Sequence, residues 1–472
     1  MTYEEKVLFE EYEKNLPKEA DGSPNKDKRK ILGVTFEEEY LRTYPFGTLA
    51  SHVLGFAKAD GDGTYGIEQQ YNEELTGING RVYDYYDADL NVKQETVPAR
   101  DGQIIVSTID ANLQRIVQKH TEAFLDEIGA KNVGVLMMEV NSGEVLAMQS
   151  NYSYDLNDPR SLSKWYSEEE IAAMDNDTYL EALYKVWRNF CISDSYEPGS
   201  TFKIITSAIA LEEGKVSVND TFSCPGFAIV EDRKIRCHKV KGHGAETFVQ
   251  GIQNSCNPVF INVGLRVGVD GFYNGMKDLG LMSKTNIDIP GEASTIMHKK
   301  ETIGPVELAT MSFGQSFQIT PMQLAVTVSS IINGGTRVTP HFAKEIRNDE
   351  GALIKTFDYG SGERIVSEDT SATMRMLLES VVAEGGGSKG QVEGYRIGGK
   401  TATSQTLPRS AKQYISSFIG FAPADDPKVL GLVIIAKPTG VYYGGTIAAP
   451  VLQSIYANIL PYLGIETVET SE

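Results

Sequence analysis

The sequence lacks an apolar run long enough to cross a membrane. A membrane helix needs about 20 consecutive apolar residues. The most apolar short stretch here, VLGLVIIA at 429–436, has the length and β-branched content of a buried strand. The start of the chain, MTYEEKVLFEEYEKN, is acidic and has no apolar segment, so it does not resemble a signal peptide. From these absences we expect this chain to be soluble.

Positive charge is also scarce. The 472 residues include 44 Lys and Arg against 64 Asp and Glu, which gives a formal net charge of −20. This imbalance excludes nucleic-acid binding through a broad basic surface. Hydrophobic residues make up 41% and charged residues 23% of the chain, as in ordinary globular proteins. The length allows two or three domains, or one large domain with a smaller one.

Cysteine is rare, yet it is concentrated in the middle of the chain. The four cysteines are residues 191, 224, 237 and 256, and one window of 20 residues contains Cys224, Cys237, His238 and His243. Thiol and imidazole ligands at this density suit zinc. We expect a structural zinc ion on Cys224, Cys237 and His243, with His238, Asp232 or water as the fourth ligand. Two alternatives remain open: a Cys224–Cys237 or Cys237–Cys256 disulfide, and free buried thiols.

The pattern along the chain predicts an α+β protein. Residues 1–100 are polar and rich in turns and are expected to form a small accessory domain; residues 101–465 form the main domain and 466–472 a tail. A strand at 102–108, a helix at 110–129 with Asp110 as N-cap, and a hairpin at 133–150 open the main domain. Residues 154–190 are expected to be a polar surface excursion. Two strands near 415–423 and 429–437 and a helix near 448–460 end the domain.

A serine and a lysine lie three residues apart at a predicted helix start. In the segment EPGSTFKIITSAIALEEG, residues 197–214, a Pro-Gly turn precedes an apolar-periodic stretch that ends at glycine. Ser200 and Lys203 therefore share one helix face. A serine hydroxyl needs a base to become a nucleophile, and a lysine is such a base where burial or another cation lowers its pKa. Serine is also a common N-cap, so this pair alone is weak evidence.

Two later segments carry the partners that such a pair needs. The triplet SCN at 255–257 supplies a hydroxyl and an amide, which suit proton relay and binding of a substrate amide. The segment KTAT at 400–403 follows Gly-Gly and lies near the predicted strands. On an edge strand, its Lys-Thr pair would bind a carboxylate and its backbone would dock an extended peptide. The three segments together, in this order, are far more specific than any one.

These segments resemble the S-x-x-K, S-x-N and K-T-G motifs of penicillin-binding proteins and serine β-lactamases. The rest of the chain is similar to class B penicillin-binding proteins, the monofunctional D,D-transpeptidases, and in particular to their Gram-positive sporulation and division members. The similarity covers about residues 35–460 and rests further on four segments: YPFGTLASHVLGF (44–56), YGIEQQYNEELTGINGR (65–81), GQIIVSTIDANLQRIVQ (102–118) and SFGQSFQITPMQLA (312–325). It implies a transpeptidase fold with a central antiparallel sheet flanked by helices, an all-helical part and a small N-terminal pedestal.

The resemblance implies peptidoglycan cross-linking through an acyl-serine. Ser200 would attack the penultimate D-Ala carbonyl of a stem peptide and release the terminal D-Ala, and an amine of a neighbouring stem would then resolve the acyl-enzyme. Lys203 would be the base for acylation. Ser255 and Lys400 would form a second proton relay, and Lys400 would help to keep Lys203 neutral, since like charges lower a lysine pKa.

The resemblance also implies how substrate is held. Asn257 would bind the substrate amide, and Thr401 and Thr403 would bind its carboxylate. The backbone N–H groups of Ser200 and Thr403 would form the oxyanion hole. Ala402 departs from the family pattern, which has glycine at this position. Its methyl group is expected to crowd β-lactam side chains or to twist the strand, and so to slow acylation by bulky β-lactams.

The alternatives to a transpeptidase are a D,D-carboxypeptidase or β-lactamase-type hydrolase, and a non-catalytic β-lactam sensor or scaffold. No cofactor is expected for the chemistry. The implied partners are peptidoglycan stem peptides, β-lactam antibiotics and a membrane glycosyltransferase of the division or sporulation machinery. Family members carry an N-terminal membrane helix, so the resemblance implies a native location on the extracytoplasmic face of the cell membrane and an extracytoplasmic portion in this chain.

Overall fold

Residues 3–23, 42–58, 61–360 and 362–468 are described by the computed structural model. The chain divides into two units, Met1–Thr43 and Tyr44–Glu472. The first unit contains helix α1, Tyr3–Asn15. The expected domain boundary near residue 100 stays a prediction, and the expected tail at 466–472 lies partly outside the described residues. No helix in the described ranges is long and apolar enough to cross a membrane.

A five-stranded antiparallel sheet organises the second unit. Its spatial order is β14-β15-β16-β6-β7, and its strands are β6 Ala130–Glu139, β7 Val145–Ser150, β14 Gly398–Gln405, β15 Tyr414–Ala422 and β16 Val429–Pro438. Strand β16, near the C-terminus, pairs with β6, so the sheet joins distant parts of the sequence. Strand β14, which carries the KTAT segment, is an edge strand with one side open to another partner.

Both faces of the sheet are covered, because the side chains of its strands alternate between two buried clusters. In β6, Val133, Val135 and Met137 belong to one cluster, whereas Leu136 and Met138 belong to the other. The first cluster is closed by α5 Ala111–Glu127 and α15 Gly444–Tyr462. The second, larger cluster lies against the helical part of the domain, which carries the candidate site.

The helical part contains the elements that surround this larger cluster. They are α8 Phe190–Ser193, α9 Lys203–Glu212, α10 Phe248–Gln253, α11 Asn257–Asp278, α12 Pro305–Met311, α13 Pro321–Ile332 and α14 Glu368–Ala383. Between α9 and α10 lie four short strands that pair as two hairpin-like ribbons, β8 Thr221–Cys224 with β11 Gly244–Thr247, and β9 Phe227–Val230 with β10 Arg233–Arg236. A further antiparallel trio consists of β5 Ile104–Ser107, β12 Ala343–Arg347 and β13 Leu353–Thr356.

Residues 44–100 form small elements. Helices α2 Ser51–Leu54, α3 Gly66–Gln70 and α4 Asn72–Leu75 accompany two ribbons, β1 Phe56–Ala57 with β2 Gly63–Thr64, and β3 Arg81–Tyr86 with β4 Val92–Val97. The second ribbon is exposed along both strands.

Most local predictions are confirmed. The predicted helix after Asp110 is present, and Asp110 Oδ1 accepts hydrogen bonds from two backbone N–H groups of its first turn. The hairpins at 133–150 and 415–437 are also present. The excursion at 154–190 is more ordered than predicted: it contains α6 Glu168–Ala173 and α7 Asn176–Trp187, which pack around a small buried cluster with Trp187 and Tyr154. Its apolar residues are few, but they converge on that cluster.

Candidate active site

Ser200 lies in a 3₁₀ turn, Gly199–Phe202, that leads directly into α9. Gly199 has a φ of +58°, which favours glycine, and its N–H donates to Gly314 O at 2.8 Å. A side chain at residue 199 would also meet Ser404 Oγ on β14. The turn is thus pressed between β14 and the 312–319 segment. It leaves Ser200 partly exposed, one turn before Lys203.

The Lys203 amine connects the helix that follows Ser200 to the SCN segment. Lys203 is fully buried, and its Nζ donates to Ser255 O at 2.7 Å, to Ser255 Oγ at 3.1 Å and to Asn257 Oδ1 at 2.8 Å. Phe260 lies below it, with the ring centre 5.3 Å from Nζ. The structure therefore brings together three of the residues that the sequence singled out.

The SCN turn between α10 and α11 is tightly constrained. Ser255 adopts a positive φ of 51°, an uncommon conformation for a residue with a side chain. Cys256, fully buried, is the N-cap position of α11, and its N–H donates to Gly251 O at 2.8 Å. Asn257 Nδ2 donates to Arg236 O at 3.2 Å, at the end of β10. These contacts orient Ser255 Oγ and Asn257 Oδ1 toward Lys203 Nζ.

Strand β14 forms the opposite wall. Lys400 is buried, and its Nζ donates to Thr401 O at 3.0 Å. Thr403 Oγ1 accepts a hydrogen bond from Gly444 N at 2.9 Å. Ala402 is 4% exposed, and its methyl carbon lies 3.6 Å from where a side chain on Gly199 would begin. The methyl group therefore packs against the turn before Ser200.

The two lysines differ from ordinary surface lysines in their protonation. Burial lowers the pKa of Lys203 to about 7, while the nearby Cys256, Cys237 and Glu246 act in the opposite direction. Burial, and then the charge of Lys203, lowers the pKa of Lys400 well below its usual value. Near pH 7, about half of Lys203 is therefore the free amine that a general base requires. In that form it keeps two N–H groups for its three oxygen neighbours, and its lone pair is free to accept a proton.

Sequence reasoning missed an ion pair between a buried carboxylate and a partly exposed arginine beside the turn of Ser200. Glu197 is 8% exposed; its Oε1 accepts from Ser316 N at 2.9 Å, and its Oε2 lies 2.7 Å from an Arg409 guanidinium nitrogen. This clasp, defined as Glu197 with Arg409, links the turn before Ser200 to the loop between β14 and β15. A carboxylate directly before Pro-Gly-Ser was the only local signal, and nothing in the sequence pointed to Arg409.

The cysteine-rich region forms one group of buried donor atoms. The ligand atoms within 4.8 Å of one another belong to Cys224, Cys237, His243 and Cys256. His238 and Asp232, considered as fourth ligands, are both exposed; His238 Nδ1 is 3.8 Å from Cys237 Sγ, but neither residue belongs to the group. Cys256, which sequence reasoning treated only as a disulfide partner, takes the fourth place. All four cysteines of the chain are free and buried.

The contact between the Cys237 and Cys256 thiols shifts their pKa values in opposite directions. The hydrogen bond with Cys256 lowers the pKa of Cys237, and the same contact raises the pKa of Cys256. Cys237 Sγ also lies 3.7 Å from His243 Nδ1. Glu246 is buried, and its Oε2 lies 3.7 Å from the same ring nitrogen without a hydrogen-bond partner in the described part of the chain. A thiol with a lowered pKa, an imidazole and a carboxylate oxygen without a hydrogen-bond partner among the described residues fit a cation here.

Comparison with known proteins agrees with this geometry. The model of the penicillin-binding protein transpeptidase domain matches residues 133–457, and that of the penicillin-binding protein dimerisation domain matches residues 5–107. The chain is 39% identical over 446 residues to stage V sporulation protein D of Bacillus subtilis, covering 92% of this chain and 66% of that protein. It is 30% identical over 457 residues to the peptidoglycan D,D-transpeptidase FtsI of Escherichia coli, covering 93% and 70%.

Solved structures share the fold. Penicillin-binding protein 3 of Mycobacterium tuberculosis, in its apo form, superimposes with a TM-score of 0.76 at 25% identity over 91% of this chain and 92% of that one. A peptidoglycan synthetase from Bifidobacterium adolescentis gives 0.78 at 24% identity over 94% and 78%. The predicted α+β fold, with its central antiparallel sheet, is thus confirmed. The chain belongs to the class B penicillin-binding proteins, which combine a dimerisation domain with a penicillin-binding transpeptidase domain.

Proposed function

We propose that this chain is a serine-type peptidoglycan D,D-transpeptidase that β-lactams inhibit by acylating Ser200. The observation that carries the proposal is the buried Lys203 amine, which lies one turn after Ser200 and donates to Ser255 Oγ and Asn257 Oδ1. The names of two relatives support the proposal: one is a peptidoglycan D,D-transpeptidase, and the other is stage V sporulation protein D. The chain spans about two thirds of their length.

In the first half-reaction, neutral Lys203 accepts the Ser200 proton as Oγ bonds to the carbonyl carbon of the penultimate D-Ala. The carbonyl oxygen becomes an oxyanion, held by the backbone N–H groups of Ser200 and Thr403. Each such donor is worth about 3–4 kcal/mol in comparable enzymes. The oxyanion then collapses and the C–N bond breaks. The leaving D-Ala nitrogen takes a proton from Ser255 Oγ, which Lys203 replaces across their 3.1 Å contact.

In the second half-reaction, an amine from a neighbouring stem attacks the acyl-serine. Its proton leaves through the same Ser255–Lys203 contact, the ester bond breaks, and Ser200 recovers its hydrogen. Lys400, whose pKa burial lowers well below its usual value, would exchange a proton with Ser255 Oγ as the second relay, and in its charged form it would favour neutral Lys203. Thr401 and Thr403 on the open edge of β14 bind the terminal carboxylate of the donor, and Asn257 binds the preceding amide.

Labelling with a fluorescent penicillin tests this proposal. We expect one label per chain, on the peptide that contains Ser200, and a half-life of the label far longer than the labelling time. Ser200→Ala should abolish the label, whereas Ser217→Ala, at an exposed serine, should retain it. Rapid release would favour a β-lactamase-type hydrolase. Absence of label in the unaltered chain would overturn the proposal and favour a scaffold.

A pentapeptide donor with an added amine acceptor separates transfer from hydrolysis. We expect release of free D-Ala together with a new amide that joins donor and acceptor, at a ratio that rises with acceptor concentration. Hydrolysed tetrapeptide as the sole product at all acceptor concentrations would identify a D,D-carboxypeptidase. Lys203→Met should suppress both products, since no other base contacts Ser255 Oγ in the described residues.

We propose in addition that Cys224, Cys237, His243 and Cys256 hold a structural zinc ion. Zinc at such a site stabilises folding and takes no part in acyl transfer. Glu246, 3.7 Å from His243 Nδ1, would orient that imidazole, as carboxylates near metal-bound histidines commonly do. Metal analysis with thiol counting on unfolded protein should give one zinc and four thiols. Two thiols without metal would indicate a disulfide. Four thiols without metal would exclude both the zinc ion and the disulfide.

The chain offers a matched control for the zinc proposal. Cys224→Ser should lose the metal and lower the melting temperature. Cys191→Ser changes a buried free cysteine outside the group and should retain one zinc per chain. Equal metal content in both variants would contradict the assignment.

The remaining expectations concern the full-length protein. We propose that it is anchored to the cell membrane with this portion on the extracytoplasmic face, and that it works beside a membrane glycosyltransferase. The dimerisation-domain match at 5–107 supports a role in assembly. Co-purification of the full-length protein with a glycosyltransferase from detergent-solubilised membranes would test it, and recovery of the protein alone after cross-linking would count against it.

A further inference from the structure

A strongly basic surface stands out on this acidic chain. Residues 231–243, which run from the end of β9 through β10 to His243, contain five Lys and Arg side chains against two carboxylates, in a chain with a net charge of −20. We call residues 227–243 the basic hairpin. Its five cationic side chains are all exposed: Arg233, Lys234, Arg236, Lys239 and Lys241. Because five cations lie close together here, anions are attracted to this region in preference to the rest of the acidic surface.

Among the described residues, four of these cations have no carboxylate partner, and three of the four also have no aromatic ring beneath them. Arg233 lies 3.4 Å from the exposed Asp232, and Lys234 lies 3.8 Å above the ring of Phe227. By contrast, Arg236, Lys239 and Lys241 make no ion pair within residues 3–23, 42–58, 61–360 and 362–468. An exposed cation that already has a carboxylate partner gains little from a second one, so the three unpaired side chains have the most to offer an anionic ligand.

The basic hairpin borders the candidate active site and is held in place. Asn257 Nδ2 donates to Arg236 O at 3.2 Å, and Asn257 Oδ1 accepts from Lys203 at 2.8 Å. The Cys237 N–H donates to Gly226 O at 2.9 Å, and Cys237 Sγ belongs to the buried thiol group. Val240 O packs directly against Gly226: a Cβ atom at residue 226 would lie only 2.1 Å from this oxygen, so the close approach requires glycine. The cations are therefore attached to a fixed backbone beside Asn257.

We propose that the basic hairpin is a binding subsite for free carboxylates of the donor stem peptide, upstream of the bond that Ser200 cleaves. This inference rests on the proposed transpeptidase function. The terminal carboxylate is assigned to β14, whereas Asn257 on the opposite wall binds the amide that precedes the cleaved bond. The upstream stem therefore leaves the site on the Asn257 side, toward Arg236. A stem with unmodified side carboxylates complements Arg236, Lys239 and Lys241, and a stem with amidated side carboxylates does not.

The consequence is selectivity between two forms of one substrate. Exposed charge pairs are individually weak, but several acting together on one peptide favour the anionic form by about three- to tenfold at low salt. A small β-lactam without such side carboxylates does not reach the basic hairpin, so its acylation of Ser200 reports on the catalytic centre alone.

Paired donor peptides test this proposal. Two pentapeptides of the same sequence, one with free side carboxylates and one with both amidated, are compared by the second-order rate constant for acylation of Ser200. The unaltered chain should prefer the free form about three- to tenfold at low ionic strength and lose most of that preference in 0.5 M salt, where the Debye length falls to about 4 Å. K239E/K241E should remove or invert the preference, and K239Q/K241Q should reduce it.

Controls separate this idea from its alternatives. K119E/K131E makes the same charge change at two exposed lysines on α5 and β6 and should keep the preference. Penicillin acylation should change less than twofold in all these variants. If penicillin does not acylate the unaltered chain, the proposed function fails; if penicillin acylates normally and the two peptides react equally, the subsite alone fails.

Three further outcomes would overturn the subsite. An equal slowing of both peptides and of penicillin by K239E/K241E would show that the basic hairpin supports the catalytic centre and does not select substrate. Binding to vesicles of anionic phospholipid that K239E/K241E abolishes, with peptide preference intact, would assign the surface to the membrane. Preserved preference in K239E/K241E and R236Q would exclude the basic hairpin altogether.

Discussion

Lowering the pH from 8 to 5 should slow acylation of Ser200 by penicillin about hundredfold. Lys203 must be neutral to accept the serine proton, and burial lowers its pKa to about 7. Below that value, the neutral fraction falls about tenfold per pH unit. Cys256, Cys237 and Glu246 oppose the effect of burial on Lys203, so the midpoint should move to lower pH when these groups are replaced by side chains that do not ionise.

The same lysine should make folding stability depend on pH. The unfolded side chain titrates at its ordinary value of 10.5, whereas the folded one titrates at about 7. Between these values, the unfolded state binds more protons, so stability rises with pH in that window by up to about 1.4 kcal/mol per pH unit. Over the full shift of 3.5 units this amounts to about 5 kcal/mol. Below pH 7 the contribution is constant and unfavourable.

Stopped-flow acylation and urea unfolding check both consequences. Lys203→Met should abolish acylation, and the difference in unfolding free energy between the unaltered chain and this variant should change between pH 7 and 9. Lys284→Met, at an exposed lysine, should leave both properties unchanged. A rate that is flat from pH 8 to 5, or a midpoint near pH 10, would refute the assignment of Lys203 as a base that burial keeps neutral.

Three other changes test the surroundings of the site. Ala402→Gly removes a buried methyl group and adds backbone flexibility to β14, so the melting temperature should fall by about 2–4 °C. The acylation rate with bulky β-lactams should rise relative to the rate with small ones. Equal acylation rates in the variant and the unaltered chain would contradict crowding by the methyl group. Arg409→Gln should slow penicillin acylation about tenfold, because it leaves the Glu197 carboxylate buried without a cation. Glu197→Gln should slow acylation less, since the Arg409 side chain is 37% exposed and reaches water. The double variant should be faster than the product of the two single effects predicts, and simple additivity would contradict coupling within the clasp. Asp288 accepts four hydrogen bonds, from Tyr71 OH, Phe342 N, Ala343 N and Tyr359 OH. Asp288→Asn should therefore lower the free energy of unfolding by about 2–4 kcal/mol, whereas Asp349→Asn, at an exposed aspartate, should leave it unchanged.

Local signals explain which parts of the fold were predictable. The helix after Asp110 and the Asn-Ser-Gly hairpin carry their own caps and turn residues, and both are present. The pairing of β16 with β6 depends on contacts between residues about 300 positions apart, and no local pattern contains that information. The ordered cluster around Trp187 was missed for the same reason, since its few apolar residues are dispersed along a polar segment.

The candidate site shows a similar division. The motif residues Ser200, Lys203, Ser255 and Asn257 were found because their order along the chain is distinctive, and the structure places the last three in direct contact. The clasp could not be predicted because Glu197 and Arg409 are more than 200 residues apart and belong to no recognisable sequence motif. Sequence spacing also could not decide between the ligand partners of Cys237.

The SCN turn connects the two buried groups of this domain. A serine at a φ of +51° costs about 1–2 kcal/mol relative to ordinary backbone, so neighbouring contacts must hold Ser255 there. On one side, Lys203 donates to both its carbonyl and its hydroxyl. On the other, Cys256 is anchored to Gly251 O and to the buried donor group. The Ser255 hydroxyl, which we propose as the proton relay, is thus positioned by a backbone whose next residue belongs to the buried donor group, so the geometry of that group sets the position of the hydroxyl.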